Sequence, residues 1–522
     1  MTGPGVSAWT YLRGEDYVAP AVVEALLAVA GVRDVLPAYD STLVEHDPTT
    51  LTAEAVARAA DAAGEAAPAG SGRLVTVPVH YGGEHGPDLD EVARRAGLTA
   101  AAAARLHAGS EYVVRAVGFS PGFPFLAGLP PALATPRRPE PRRRVPAHSV
   151  GVAAGQTGVY PVASAGGWNL IGRSTVAVYD PRRDDPFLLA VGDRVRFAAA
   201  GEGPGSLAGP APARSTSPAP VPPDPEPLEL LPSDPHLPAL AVVAPGLLDL
   251  VVDAGRLGQG RFGLARGGPL DAPAARLANR LVGNEPDAPL LELTLTGPVL
   301  RALAPCVVAV TGPALAPVVG GEAAPPYTSL ALAAGDELRF APTGVGARSY
   351  LALAGGVASR RFLGSASVDL RGLVGRPLRA GDVLGRAAAR RAVAGRGFVP
   401  HGGARRGAGP FGSVTTLRLL PGPQHEPEAW AALTGAPFEV SAADRVGVRL
   451  AGAPVPGGEV TSEGVPVGAV QVPPGGSPIV LLADRGTLGG YAKPALVHPA
   501  DLPRLAQLRP GDRVRFVAAA RG

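Results

Sequence analysis

The sequence predicts an α+β chain that is mainly β: a small ferredoxin-like N-terminal domain followed by β-barrel domains. Three observations carry this. Up to His80, strand and helix signals follow the order β-α-β-β-α-β. Glycine (70) and proline (59) are both abundant in the 522 residues, which favours turns and short strands over long helices. One closing word also recurs. Gly192-Asp193-Arg194-Val195-Arg196-Phe197 follows Gly166-Gly167-Trp168, and Gly511-Asp512-Arg513-Val514-Arg515-Phe516 follows Gly489-Gly490-Tyr491 at a similar spacing. A weaker copy is Gly335-Asp336-Glu337-Leu338-Arg339-Phe340. Gly-Asp makes a turn, and the alternation after it is that of a half-buried strand.

In chain order, residues 8–12 read as a strand. A helix follows over 20–30 and stops at Gly31. Short strands at 32–36 and 42–46 flank a turn at 37–41. Thr52 is a good N-cap for a helix to about Ala63, and residues 74–80 alternate as a strand. Two short helices lie between Asp88 and His107, the second capped by Thr99. Strand and turn signals dominate from there on. Residues 203–238 hold 12 prolines in 36 residues and read as an extended linker. The expected domains are 1–85 (ferredoxin-like), 86–202 (a barrel), the 203–238 linker, and 239–522 with two barrel subdomains.

The formal charge is +3 and arginines alternate with acids, so no nucleic-acid stripe stands out. Cys306 is the single cysteine, sits in an apolar run, and reads as core; it excludes an intrachain disulfide. Neither a signal peptide nor a membrane-spanning run is evident, so a cytoplasmic protein is expected, with a homo-oligomer left open. Of 48 Lys and Arg residues, all but Lys493 are arginine. An ammonium is a compact point charge whose pKa shifts on burial, which a guanidinium cannot copy. Lys493 therefore marks a candidate site, flanked by Gly489-Gly490-Tyr491 and Pro494. An accidental survivor of Arg-rich drift is the alternative.

The densest motif region runs from Gly118 to Arg173. It contains Gly118-Phe119-Ser120-Pro121-Gly122-Phe123-Pro124-Phe125, Arg142-Arg143-Arg144-Val145-Pro146-Ala147-His148, Gln156-Thr157-Gly158 and Gly166-Gly167-Trp168-Asn169. Phenylalanines set between Gly and Pro make a rigid apolar loop of the kind that walls small-ligand pockets. Together with Tyr81-Gly82-Gly83-Glu84 and Leu106-His107, this run resembles the allophanate-hydrolase-subunit-1-like family, which includes the B component of 5-oxoprolinase. One departure is His148, where that family usually has Gly.

The second half resembles the partner, subunit-2-like family, which includes the C component of 5-oxoprolinase. The matching words include Asp253-Ala254-Gly255-Arg256, Gly267-Gly268-Pro269-Leu270-Asp271, Leu291-Glu292-Leu293-Thr294, Ser462-Glu463-Gly464, Gln471-Val472-Pro473, Asp484-Arg485 and the Lys493 segment.

The resemblance implies that the B and C components are fused in one polypeptide built on cyclophilin-like barrels. It implies ATP-dependent opening of 5-oxo-L-proline to L-glutamate together with a separate third subunit. ATP would then be shared with that partner, and the usual setting of a biotinyl lysine is absent from this chain. Lactam opening asks for cations, proton carriers and amide-binding groups. The catalytic candidates are Lys493, His107, Glu463 and Asp484. The substrate-binding candidates are Phe119, Pro121, Gly122, Phe123, Arg142, His148, Gln156, Arg173, Gln471 and Tyr491. His107 reads equally well as a helix-end cap, and Tyr491 as core. Two other functions stay open: the carboxyltransferase of a biotin-dependent urea or amide carboxylase, and a binding module that inhibits a histidine kinase. No metal site is expected, since no His/Cys spacing supports one.

Overall fold

A computed structural model of the chain describes residues 7–66, 72–200, 220–387, 394–398 and 414–520. At the N-terminus, strands Ala8–Arg13, Ser41–His46 and Val32–Pro37 form an antiparallel sheet in that order. Helices Pro20–Leu27 and Ala53–Ala66 cover one face and bury Leu12, Val22, Leu26, Val35, Val44 and Val56 against it. Pro20 starts the first helix, where its missing N–H costs nothing. Thr52 Oγ1 accepts from the Ala55 N–H at 3.3 Å and caps the second.

The fourth strand of the expected ferredoxin-like unit goes elsewhere. Leu74–Tyr81 pairs with Asn169–Ser174 and Arg194–Ala199 in a closed barrel, so the boundary lies before Leu74 rather than at residue 85. The barrel order is 169–174, 74–81, 194–199, 111–117, 124–127, 156–159 and 149–153. A second barrel runs in the order 488–497, 415–421, 513–518, 438–443, 447–451, 479–481 and 469–472, closed by pairing of the first two strands. The two have the same topology, including one parallel pair at the closing strand. Val195–Phe197 and Val514–Phe516 are those closing strands, as the repeated word predicts.

All three copies of the word make the same turn. The glycines have φ near +90° (89°, 93° and 89°), a conformation open to glycine. Each aspartate accepts from the N–H three residues earlier: Asp193 from Ala190 at 3.0 Å, Asp336 from Ala333 at 2.7 Å, Asp512 from Arg509 at 2.8 Å. The third copy does not close a barrel. Its strand, Glu337–Pro342, pairs antiparallel on both sides within a six-stranded sheet. That sheet and a five-stranded one share a single core, so 239–387 is a two-sheet sandwich and only one of the two expected subdomains of the second half is a closed barrel. Cys306 is buried in this core.

Of the Pro-rich stretch, 203–219 lies outside the described residues. The rest is an extended arm laid on the sandwich: Leu230 is buried, Leu228 N–H donates to Leu373 at 2.8 Å, and its carbonyl accepts from Gly375 at 2.7 Å. A free tether is therefore not what 220–238 forms; Leu228, Leu230 and Leu231, set among the prolines, give it a place to bind.

The halves dock through small residues. Leu488 of the second barrel enters an aromatic cluster of the first, with Phe123, Phe125, Tyr160 and Trp168. Gly118 makes room, because a Cβ there would sit 2.3 Å from Leu488 Cγ. Among the described residues no helix is long and apolar enough to cross a membrane.

Candidate functional site

Strand Ala8–Arg13 alternates. Leu12 faces its own helices, while Trp9, Tyr11 and Arg13 face the second barrel. Tyr11 OH donates to the Gly464 carbonyl at 2.8 Å, and Arg13 Nη1 reaches Glu463 Oε2 at 3.1 Å. Glu463 lies on Glu459–Gly464, which pairs antiparallel with Leu488–Val497, the strand that carries Lys493. Lys493 is fully buried. Its Nζ lies 3.1 Å from Glu463 Oε1 and donates to the Tyr491 carbonyl at 3.0 Å. Gln424 completes the group: its Nε2 donates to Glu463 at 2.7 Å and its Oε1 accepts from the Lys493 N–H at 3.0 Å. Burial pushes the Lys493 pKa down, and the Glu463 carboxylate opposes that push. One carboxylate thus binds a cation from each half of the chain.

At the Trp9 end of the same seam lies a cavity of about 390 Å³, where Trp9, Glu45, Arg266, Leu270, Ala483 and Pro499 form part of the wall. Glu45 accepts from Arg266 Nη1 at 2.8 Å and from Ser7 Oγ. Behind it, Asp34 is buried and accepts from the N–H groups of Gly260 (3.0 Å) and Val35 (2.9 Å). Burial, and next the Glu45 charge, push the Asp34 pKa up to about 7. Arg485 packs over Trp9, with its Cζ 5.7 Å from a Trp9 ring centroid, and donates to the Val465 carbonyl at 2.6 Å. Its Nη1 has no partner among the described residues. Asp34 is thus a buried carboxyl poised near neutral pH behind the cavity wall, and Arg266 sets a cation on that wall.

Of the sequence candidates, Lys493, Glu463 and Tyr491 come together here. Gln471 sits on the adjoining strand, its side chain against Gly489. Asp484 does not join them. Its carboxylate accepts from Arg445 Nε at 2.7 Å and Nη2 at 3.0 Å, inside a buried network that includes Glu292. Phe119, Pro121, Gly122 and Phe123 form the loop at the junction of the halves; Gly122 N–H donates to the Phe262 carbonyl at 2.8 Å. Arg142 is engaged structurally, 2.8 Å from Asp88, which in turn accepts from the Leu170 N–H at 2.6 Å. Arg173 and His148 face the arm: Arg173 lies 3.5 Å from Asp224, and His148 Nε2 lies 3.1 Å from the Pro223 carbonyl. His148 has φ +66°, the left-handed conformation that glycine adopts without strain. Gln156 opens the strand 156–159 at the barrel rim.

His107 must be corrected. It lies inside the first barrel, its Nδ1 2.7 Å from Tyr81 OH and its Nε2 2.9 Å from Thr157 Oγ1, with Phe197 against the ring at 4.6 Å. Burial drives its pKa down to about 3, so it is a neutral core residue and not a proton carrier at a cavity. The unfolded chain binds a proton on this ring below about pH 6.5 that the folded one refuses until about pH 3. The stability that this neutral ring contributes is therefore full above about pH 6.5 and is lost as pH drops through that window. Urea midpoints measured from pH 7 to pH 4 should fall for the parent and fall less steeply for His107→Gln.

Arg13, Gln424, Trp9, Asp34, Glu45 and Arg266 are not among the sequence candidates. The alternation Trp9-Thr10-Tyr11-Leu12-Arg13 is a signal for Trp9 and Arg13 alone.

Comparison with known proteins matches two family models: "Carboxyltransferase domain, subdomain C and D" over residues 16–189, and "Carboxyltransferase domain, subdomain A and B" over 262–518. The chain is 44% identical over 184 residues to the 5-oxoprolinase B component of Escherichia coli O157:H7, covering 35% of this chain and 84% of that one. It is 34% identical over 295 residues to the 5-oxoprolinase C component of Escherichia coli K12, covering 53% of this chain and 90% of that one. The crystal structure of TTHA0988 superposes with a TM-score of 0.89 at 52% identity, over 98% of this chain and 100% of that chain. Urea amidolyase of Saccharomyces cerevisiae is 30% identical over 53% of this chain, but over only 16% of its own length.

Proposed function

The chain belongs to the carboxyltransferase-domain family of the 5-oxoprolinase B and C components, with both parts fused in one polypeptide, and from that premise we propose that it is the B/C component of an ATP-dependent 5-oxoprolinase working with a separate third subunit. The observation that carries this is the carboxylate of Glu463, bound at once by Arg13 from the B-like half and by Lys493 from the C-like half. The group is complete only when the two parts are docked, as a joint reaction requires.

A lactam resists hydrolysis because its amide is resonance-stabilised. Phosphoryl transfer from ATP to the lactam oxygen activates the carbon. Water adds there, the ring C–N bond breaks as nitrogen takes a proton, and a second hydrolysis releases phosphate. Lys493 and Glu463 suit the anion-holding and proton-moving parts of this sequence. Arg13, half exposed, leads from them to solvent, where the partner subunit would present ATP.

The test is ADP and glutamate release from 5-oxo-L-proline by the purified chain, with and without the third subunit. Equal amounts of both products, formed only by the complex, are expected. Turnover with urea, bicarbonate and a biotinylated carrier, and none with the lactam, would replace this reading by the urea-carboxylase one.

A further inference from the structure

A second cavity, of about 430 Å³, lies between the first barrel and the sandwich, with Phe119, Ser120, Arg144, Ser164, Asp224 and Arg371 on its wall. Its cations outnumber its anions. Arg371 donates to the carbonyls of Phe119 (2.7 Å) and Asp484 (3.2 Å) and meets no carboxylate among the described residues. Arg144 lies at the opening, and Arg173 stands just behind. Asp224 is the one acid on the wall among the described residues, and it belongs to the arm that joins the halves. It is held loosely, 3.2 Å from Arg144 and 3.5 Å from Arg173, with its side chain 47% exposed. The hydroxyls of Ser120 and Ser164 are buried with no partner among the described residues, and Ser120 as a whole is 4% exposed. A buried hydroxyl without a partner costs free energy, and natural structures usually place an acceptor or water there. Phe119 adds an aromatic wall, 37% exposed and held at φ +66°.

We propose that this cavity is a binding site for a small organic carboxylate, and that Asp224 of the chain's own arm stands in for that carboxylate in the unliganded protein. The ligand's carboxylate would take the two arginines that Asp224 now holds, its apolar body would lie on Phe119 and Leu370, and the two serine hydroxyls would donate to it. A cavity of this volume accepts a molecule of amino-acid size. The arm would keep its place without Asp224, because Glu226 pairs with Arg182 at 2.8 Å and Leu228 is bridged to the sandwich backbone.

The inference goes beyond lactam opening and does not depend on it, since binding is read directly. Calorimetric titration with 5-oxo-L-proline, L-glutamate and acetate compares the parent, Asp224→Ala, and Asp224→Ala combined with Arg144→Ala and Ser164→Ala. Removing Asp224 should tighten binding of at least one of these acids tenfold or more. The two further substitutions should cancel the gain while thermal melting stays that of the parent. A preference for either amino-acid-sized acid over acetate would identify the apolar body as part of recognition; acetate binding equally well would reduce the site to a carboxylate clamp. No gain in Asp224→Ala, or a gain that survives loss of Arg144 and Ser164, would overturn the proposal.

Discussion

Lys493→Arg should lower lactam-dependent ATP turnover by more than about tenfold, equivalent to about 1.4 kcal/mol of transition-state stabilisation. The charge is kept, so the loss would come from shape. The Nζ sits between one carboxylate oxygen and one backbone carbonyl in a fully buried pocket. A planar guanidinium is wider and presents its donors in a fixed fork. Lys493→Met is more severe: it leaves Glu463 buried with one cation fewer, and breaking a buried pair typically costs about 3–5 kcal/mol. Turnover and thermal melting measured on both variants separate the two effects. Parent-like turnover in a folded Lys493→Arg would mean that the lysine serves docking alone.

The features legible from sequence were those set by neighbours in the chain. The Gly-Asp turn is local, each aspartate bonding three residues back, and so both closing strands were readable. The same locality misleads at residues 335–340, where an equal turn feeds an open sheet. Closure depends on a parallel partner strand that the turn does not specify. Leu74–Tyr81 alternates as it would in either the small sheet or the barrel, so its pattern could not assign it. Composition marked Lys493 through its rarity, yet Arg13, the other cation on Glu463, lies 450 residues from that carboxylate, a distance that no local pattern spans. His107 shows the opposite failure. Its position near a helix end was right, but whether the ring turns to solvent or into the barrel depends on Thr157 and Phe197, which only the fold brings near.

The largest loss of stability is expected at Arg445. Its guanidinium joins the second barrel to the sandwich, bonding Asp484 twice, Glu292, and the Gly268 carbonyl at 2.8 Å. Burial above all, and then the Asp369 and Glu292 charges, push the Asp484 carboxyl up, and Arg445 is the main force against them. At Glu292 burial pushes the same way, but Arg445 and Arg348 outweigh it and hold the carboxyl below its ordinary range. Arg445→Met would strand the Asp484 carboxylate and leave Glu292 with Arg348, 3.6 Å away, in place of two cations. Glu292 keeps Tyr350 OH at 2.9 Å and the Leu270 N–H at 2.9 Å, while Asp484 loses both bonds its carboxylate makes among the described residues. The expected cost at pH 7 is about 3–5 kcal/mol. The sign of the pH dependence follows. In the variant the folded-state pKa of Asp484, already raised in the parent, rises further, and that of Glu292 rises from its depressed position, so the penalty is full at high pH and shrinks as pH falls and the carboxyls take up protons. The gap in urea midpoint between parent and variant should narrow from pH 7 to pH 5, and Asp484→Asn added to Arg445→Met should recover part of it at pH 7. A gap that is constant with pH would mean that lost packing, not stranded charge, is what the arginine prevents.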